Sequence, residues 1–254
     1  MEEWVGRLRA FYGHLAQPPP DPFALYLWEV LSFRALPSRR DAAFSALKRI
    51  PALTPDSVWR APRAKVEFAI GLSGTLVEQR VAAVLRAAEQ FRRHPELRNS
   101  LSGPILSARR ALRDLSPIGE GWASRMLFWL QDRQWCPIDG GVTRVLVRLG
   151  LVLPPVGPTT PTGATPRSGT ALTRPIPTET TPADTMSRRI ARASARLIAQ
   201  SCPGVERLRE AFLYLEHHAS ACCVAIDPHC SACPLRDACA HAKVRATDDA
   251  RDRR

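Results

Sequence analysis

The sequence contains no long apolar run, and none of its segments approaches the roughly 18 continuous apolar residues that a membrane-spanning helix needs. It also lacks the positively charged, apolar start of a secretion signal, because the chain begins Met-Glu-Glu-Trp. We therefore expect a cytoplasmic protein that has no membrane partner. β-branched residues rarely alternate with polar ones, so β-strands are not expected either.

Lysine is scarce, yet the chain is strongly basic. Its 254 residues include 36 Lys and Arg against 24 Asp and Glu, which gives a formal net charge of +12. Only Lys48, Lys65 and Lys243 are lysines. An excess of positive charge of this size favours a polyanionic partner such as nucleic acid, because each neutralised phosphate releases condensed counterions. A soluble protein that is merely basic is the alternative.

Apolar residues recur at helical spacing through most of the chain, which predicts an all-α fold. The expected helical segments are 4–15, 22–50 with a break at Pro37, 56–93 with a turn at 71–74, 105–115, 121–131, 140–151, 186–200 and 205–218. Residues 151–185 hold eight Pro and ten Thr and predict a flexible insertion, because such a segment buries little apolar surface. The tail, 244–254, is expected to fray.

Five of the seven cysteines lie within eighteen residues near the C-terminus, with the spacing Cys223-x6-Cys230-x2-Cys233-x5-Cys239. In a reducing cytosol, clustered thiols indicate metal ligands rather than disulfides. Zinc is the plain interpretation of four cysteines, but zinc ribbons usually pair two short knuckles. A cubane iron–sulfur cluster also takes four thiolates and accepts unequal arms. Cys222 could replace Cys223 in principle.

This spacing resembles the cluster loop of the endonuclease III group of helix-hairpin-helix DNA glycosylases. The resemblance implies a [4Fe–4S] cluster, with zinc as the alternative, and it selects Cys223 rather than Cys222 as the first ligand. It implies a two-lobed fold, in which a helical barrel lobe spans 22–143 and a cluster lobe combines 1–21 with 144–243. The implied partner is double-stranded DNA containing a damaged base, bound by a monomer.

A second segment, Leu-Ser-Pro-Ile-Gly-Glu-Gly-Trp-Ala at 115–123, resembles the hairpin of this family, which usually reads Leu-Pro-Gly-Val-Gly-x-Lys-Thr-Ala. The resemblance implies that Ile118, Gly119 and Gly121 present the backbone to a DNA phosphate, a contact that positions the duplex. Pro117 stands where the family has its first hairpin glycine, so the turn must differ locally. An ordinary helix–turn–helix without a phosphate is the alternative.

The segment Pro-Ile-Asp-Gly-Gly-Val at 137–142 resembles the catalytic-aspartate segment of the family, and most closely its adenine-removing branch. Taken alone, Asp139 is a good helix N-cap. The resemblance adds a catalytic role, in which the carboxylate stabilises cationic charge on the sugar or orients the attacking water. Gly121 stands where bifunctional members carry a nucleophilic lysine, and arginine cannot replace that amine. We therefore expect hydrolysis without efficient lyase activity.

Three further positions resemble family residues that engage DNA or the base. Glu29 resembles the general acid of adenine glycosylases, although a glutamate facing solvent is the interpretation that we favour. Leu72, in Ile-Gly-Leu-Ser-Gly, resembles the wedge residue that replaces a flipped base, and a leucine buried beneath a turn is the alternative. Arg34 stands where a gap-filling glutamine is usual, and Arg144 is a further expected DNA contact.

These segments together predict a base-excision-repair DNA glycosylase of the endonuclease III type, monofunctional and associated with the nucleoid. The first alternative is a DNA-binding homologue without catalysis, which the departures at Arg34, Pro117 and Gly121 favour. An adenine glycosylase is the second alternative, and a zinc-stapled helical module is the third. The sequence does not specify the damaged base.

Overall fold

The computed structural model describes residues 1–33, 35–115, 120–153 and 182–251. Within these ranges all regular secondary structure is helical, and no residue lies in a β-strand. The prediction of an all-α fold is therefore confirmed. Residues 154–181, which form most of the predicted insertion, lie outside the described residues.

Nine α-helices are described before Asp139. They are α1 (Glu2–Tyr12), α2 (Pro22–Ser32), α3 (Pro37–Leu47), α4 (Pro55–Arg60), α5 (Arg63–Gly71), α6 (Val77–Arg93), α7 (Leu97–Ser102), α8 (Ile105–Leu115) and α9 (Glu120–Leu130). Proline at the first turn favours several of these starts, since its fixed φ suits the helix and its missing N–H costs nothing there. Asp21 caps α2 by accepting the Ala24 N–H at 2.9 Å, and Thr54 caps α4.

Four α-helices are described after Asp139, together with two short 3₁₀ turns in the cysteine segment. They are α10 (Gly140–Arg148), α11 (Pro182–Ser201), α12 (Val205–Ala221) and α13 (Ala240–Arg251), and the turns are Cys230–Ala232 and Arg236–Ala238. A third 3₁₀ turn, Pro51–Leu53, precedes α4. No helix among the described residues is long and apolar enough to cross a membrane.

The structure corrects the predicted helices at two places. The segment 56–93 contains two breaks rather than one, because Pro62 separates α4 from α5. Helix α7 was not predicted, and its six residues carry a single buried apolar side chain, Leu101. Helix α13 extends into the tail as far as Arg251, and the fraying expected there stays a prediction.

Two hydrophobic cores organise the molecule. The first is formed by residues between Phe23 and Leu127, with Tyr26 and Phe23 among its fully buried side chains. The second joins α1 to residues between Phe128 and Ala242. Phe128, Cys136 and Val142 pack in the second core, and Trp129 and Trp135 contact both cores, while the lobe boundary at residue 143 stays a prediction. Helices α9 and α10, with the segment between them, connect the two cores.

Candidate functional site

Asp139 lies at the N-terminus of α10, directly after an extended segment. Its Oδ1 accepts the Val142 N–H at 2.8 Å, and its own backbone is extended, so it is the N-cap of the helix. The positive end of the helix dipole also favours a negative charge at this position. The capping role predicted for Asp139 is confirmed.

Gly141 allows α10 to lie close against α12. A Cβ on Gly141 would come within 3.0 Å of the Ala219 Cβ and within 3.1 Å of Asp139 Oδ1. Any larger residue would push α10 away from α12 or displace the carboxylate. The glycine at this position therefore helps to set the distance between Asp139 and the side chains of α12.

Arg125, on α9, connects Asp139 to two other carboxylates. Its Nε and Nη2 donate to both oxygens of Glu29 at 2.8 and 3.2 Å. Nη2 also lies 2.7 Å from Glu216 Oε1, and Nη1 lies 3.5 Å from Asp139 Oδ2. The guanidinium stacks 5.4 Å from the Phe212 ring centroid. One buried cation therefore holds together four helices, α2, α9, α10 and α12.

The charges at this cluster are unequal, because three carboxylates face one guanidinium. Burial alone lowers the pKa of Arg125, but the negative charges of Glu216, Glu29 and Asp139 outweigh it and raise that pKa above the ordinary value. Arg125 therefore stays charged. Burial raises the pKa of Glu216, while the positive charge of Arg125 opposes the rise. The cluster as a whole is electronegative.

A cleft of about 450 Å³ opens beside the carboxylates. Asp139 and Glu216 line it, as do Arg40 and Asp41 from α3 and His217 from α12. Glu29 is not among the lining residues, since its side chain lies behind Arg125 and is 1% exposed. The expectation that Glu29 faces solvent is therefore wrong, because its charge is balanced inside the protein.

Leu72 and Phe33 are exposed apolar side chains on two segments that one buried arginine connects. Leu72 follows α5 and is 40% exposed, so the alternative that placed it beneath a turn is wrong. Arg80 is buried and donates both to the Ser73 hydroxyl and to the Phe33 carbonyl. Arg80 thus joins the turn of Leu72 to the segment after α2, where Ser32 lines the cleft.

The cysteines of the C-terminal segment line a second, smaller cavity between α10, α12 and α13. Five thiols reach it, those of Cys222, Cys223, Cys230, Cys233 and Cys239. The tightest group of donor atoms consists of His218, Cys222 and Cys233, which all lie within 4.8 Å of one another. His218 Nε2 is 3.6 Å from Cys233 Sγ, and its Nδ1 is 2.8 Å from the Tyr12 hydroxyl. The Tyr12 hydroxyl orients the His218 ring and leaves Nε2 facing the thiol of Cys233.

Two N–H donors reach sulfur atoms of this cavity, which suits sulfur that carries negative charge. Arg148 Nη1 lies 3.4 Å from Cys223 Sγ, and the Leu235 N–H donates to Cys233 Sγ at 3.4 Å. Arg148 also donates to the Val224 carbonyl at 2.6 Å and so fixes the start of the loop. Thiol ligands that face one cavity, with N–H donors behind them, fit a thiolate-bound metal centre.

Arg144 belongs to both sites. Its Nε donates to the Cys223 carbonyl and its Nη2 to the Ala219 carbonyl, each at 2.9 Å, while its side chain also lines the cleft. The carbonyls at the end of α12 would otherwise lack donors, since a helix leaves its last C=O groups without intrahelical partners. Arg144 therefore ties the cysteine segment to α10, and its expected contact with DNA stays a prediction.

Comparison with solved structures identifies this architecture. The chain matches a thermostable thymine-DNA glycosylase with a TM-score of 0.57 and 15% sequence identity, over 96% of each chain. It matches a trapped endonuclease III–DNA covalent intermediate with a TM-score of 0.58 and 16% identity, also over 96% of each chain. The chain has the endonuclease III fold. A non-covalent endonuclease III–DNA complex matches with a TM-score of 0.57 and 16% identity, over 97% of this chain and 96% of that one.

Comparison of the sequence alone does not detect these relationships. No protein-family model matches the chain, and no curated protein matches it. The endonuclease III fold is thus visible through its three-dimensional architecture, while the residues that carry chemistry must be judged from their own contacts.

Three residues expected to contact DNA, Arg34, Ile118 and Gly119, lie outside the described residues of this endonuclease III fold. Gly121 is described and lies exposed in the first turn of α9. A Cβ on Gly121 would meet nothing within 4 Å, so the absence of a side chain there has no steric cause. Gly121 precedes Arg125 by one helical turn and shares its face of α9.

The sequence interpretation missed Arg125, Glu216 and Arg80. Arg125 and Arg80 each occupy a helix whose apolar pattern gives no reason to bury a cation. One signal for Arg125 was available in the sequence. It lies one helical turn after Gly121, and the resemblance places Gly121 at the position of a residue that faces the active site. No sequence signal distinguished Glu216 from the other glutamates of the chain.

Proposed function

We propose that this chain is a DNA glycosylase that hydrolyses the N-glycosidic bond of a damaged base in double-stranded DNA and acts as a monomer. The observation that carries the proposal is the placement of Asp139, which caps α10 and faces a cleft of about 450 Å³ within an endonuclease III fold. A net charge of +12 suits a DNA partner, because the phosphates supply the opposite charge.

The carboxylate of Asp139 is suited to the positive charge that develops on the sugar. As the bond from C1′ to the base breaks, its electron pair leaves with the base and the sugar becomes cationic. A fixed negative group that faces this charge stabilises the transition state without reorganising. Water then adds at C1′ and loses a proton. The products are the free base and an abasic sugar.

Among the described residues, the cleft contains no amine that could replace this water. Lys48 directly follows α3 and Lys65 lies in the first turn of α5, and neither lines the cleft. Gly121 offers no side chain, and arginine stays protonated and cannot form a Schiff base. We therefore propose a monofunctional enzyme that leaves the DNA strand uncut.

We assign Cys223, Cys230, Cys233 and Cys239 as ligands of a [4Fe–4S] cluster. Support comes from their common cavity, the N–H donors around it and the unequal spacing of the cysteines. When bound, such a cluster cross-links the loop to α10 and α12. Zinc is the alternative, and Cys222 is the competing first ligand because it lies closer to Cys233. Purified protein should contain about four irons and four sulfides per chain, whereas stoichiometric zinc would contradict this assignment.

The test of the function is a panel of duplexes, each containing one damaged or mismatched base. We expect release of free base from at least one duplex, and strand cleavage only after hot alkali. Asp139→Asn should lower base release by about 10²- to 10⁴-fold while duplex binding persists, because asparagine still caps the helix. Strand cleavage without alkali, or a protein–DNA adduct trapped by borohydride, would contradict the monofunctional proposal.

The second candidate is a DNA-binding protein without catalysis. It is favoured by the 3.5 Å distance from Arg125 to Asp139, since a partly neutralised carboxylate stabilises a cation less well. This candidate predicts binding to the panel with no base release from any duplex. Release from the duplex with mismatched adenine alone would instead favour an adenine glycosylase.

A further inference from the structure

Glu216 faces the same cleft as Asp139 but belongs to a different helix. It lies on α12, and its side chain remains 23% exposed. Its Oε1 accepts the short contact of 2.7 Å from Arg125, and the residue lines the cleft. A base that enters beside Asp139 therefore meets a second carboxyl group.

The partners of the three carboxyl groups decide which of them can hold a proton. Glu29 receives two hydrogen bonds from Arg125 and is buried away from the cleft. Asp139 receives the Val142 N–H and lies at the positive end of α10. Among the described residues, the Glu216 carboxyl group has the Nη2 contact alone, which Arg125 shares with Glu29. Glu216 thus has a single donor that it shares with Glu29, and unlike Asp139 it does not lie at the N-terminus of a helix.

The surroundings of Glu216 raise its pKa and so favour the protonated carboxyl group. Burial raises the pKa of Glu216, and the negative charges of Glu29 on α2 and Asp139 on α10 raise it further. The positive charges of Arg125 on α9 and Arg40 on α3 oppose that rise. The other titratable or charged residues that line the cleft are Asp41, Arg144 and His217. Two neighbouring carboxyl groups in different environments can divide into an acid and a charge stabiliser.

We infer that Glu216 is the general acid that protonates the departing base, and this inference rests on the proposed glycosylase activity. The C1′–N bond breaks and its electron pair goes to the base, which takes the proton of the Glu216 carboxyl group at a ring nitrogen. Water then adds to C1′ and returns one proton to the Glu216 carboxylate. Asp139 keeps its charge throughout and faces the sugar.

The experiment compares Glu216→Gln with the wild type under single-turnover conditions, on a duplex that the wild type cleaves. Glutamine keeps an oxygen for Arg125 but has no acidic proton. Base release by the wild type should fall as the pH rises and Glu216 loses its proton. Glu216→Gln should be slower by about 10²-fold and lose this pH dependence, because general acids contribute about 10²- to 10⁴-fold.

A leaving-group test separates proton donation from a structural effect. The same base with an electron-withdrawing fluorine leaves more easily without a proton. The deficit of Glu216→Gln should therefore shrink on the fluorinated base, whereas Asp139→Asn should stay impaired on both. Glu210→Gln is the matched control, since Glu210 lies on the same helix and pairs with Arg9 rather than with the cleft.

The possible outcomes separate this inference from the proposed function. Equal deficits on both bases, or an unchanged pH profile in Glu216→Gln, would overturn the assignment of Glu216 and leave the glycosylase intact. No base release by the wild type from any duplex would overturn both proposals. If Glu216→Gln shows a smaller deficit on the fluorinated base and base release that does not change with pH, Glu216 is established as the acid.

Discussion

Two regions of the molecule are built around arginines, and they use the positive charge in opposite ways. Arg125 faces three carboxylates, so the region beside the cleft keeps an excess of negative charge. Arg148 donates to the carbonyls of Val224 and Ala225 and to the sulfur of Cys223. Carbonyl partners are neutral, so the charge of Arg148 remains to balance thiolates.

This difference matches what each region is proposed to bind. A carboxylate-rich cleft is complementary to a sugar that becomes cationic, and a cation beside the cysteines is complementary to an anionic thiolate centre. Helix α12 serves both regions from opposite sides of one turn, since Glu216 lines the cleft and His218 approaches Cys233. The two regions should therefore respond differently when their arginines are removed.

Removal of Arg125 should have the largest effect on stability. Arg125→Met would leave Glu29 buried with its charge uncompensated, and the free energy of unfolding should fall by about 3–5 kcal/mol. Urea unfolding measures the loss. The double variant Glu29→Gln with Arg125→Met should recover part of it, because the buried charge is then absent.

Arg93→Met is the matched control for Arg125. Arg93 pairs with Glu89 at 2.8 Å on the exposed surface of α6, where an ion pair contributes about 0–1 kcal/mol. Equal losses in Arg93→Met and Arg125→Met would contradict the view that the carboxylate cluster depends on one buried cation.

Removal of Arg148 should have a smaller effect that is confined to the cysteine loop. Arg148→Met deletes donors to Val224 and Ala225, and we expect a loss of about 1–3 kcal/mol. Bound metal should escape faster to a chelator, while base release by metal-loaded protein changes little. Arg245→Met is the control, because Arg245 lies nearby and contacts only Asp227 among the described residues. Unchanged metal retention in Arg148→Met would contradict the role given to this arginine.

The pH dependence of stability should reveal the uneven charge at the cleft. Because the pKa of Glu216 is raised in the folded protein, the folded state keeps a proton that the unfolded chain releases above its ordinary pKa of about 4.3. Stability from this group is complete below that value and is lost as the pH rises through the raised pKa. Glu216→Gln should remove this fall. Urea unfolding at several pH values tests this, and identical curves would exclude a raised pKa.

The two regions also differ in how far the sequence predicts them. The metal site of the cysteine loop is predictable because its proposed ligands lie within 17 residues, from Cys223 to Cys239. Their spacing can be read directly from the sequence. The carboxylate cluster joins Arg125 to Glu29, which is 96 positions away, and packing of α2 against α9 within the first core brings these two together. The capping role of Asp139 was predictable because it depends on neighbouring residues alone. Glu29 was expected to face solvent, since helical spacing does not show that Arg125 on another helix compensates its charge inside the protein.

Introducing a lysine at Gly121 tests whether the electronegative cleft can also support a nucleophile. The position is open, so Gly121→Lys should change the free energy of unfolding by less than about 1 kcal/mol. A lysine there lies one turn before Arg125 on the same face of α9, and its neutral amine would be the nucleophile that attacks C1′. Borohydride should then trap a protein–DNA adduct that the wild type does not form, and Gly121→Arg should form none because its side chain stays protonated. Trapping by the arginine variant, or by neither variant while base release continues, would show that Gly121 does not face the sugar.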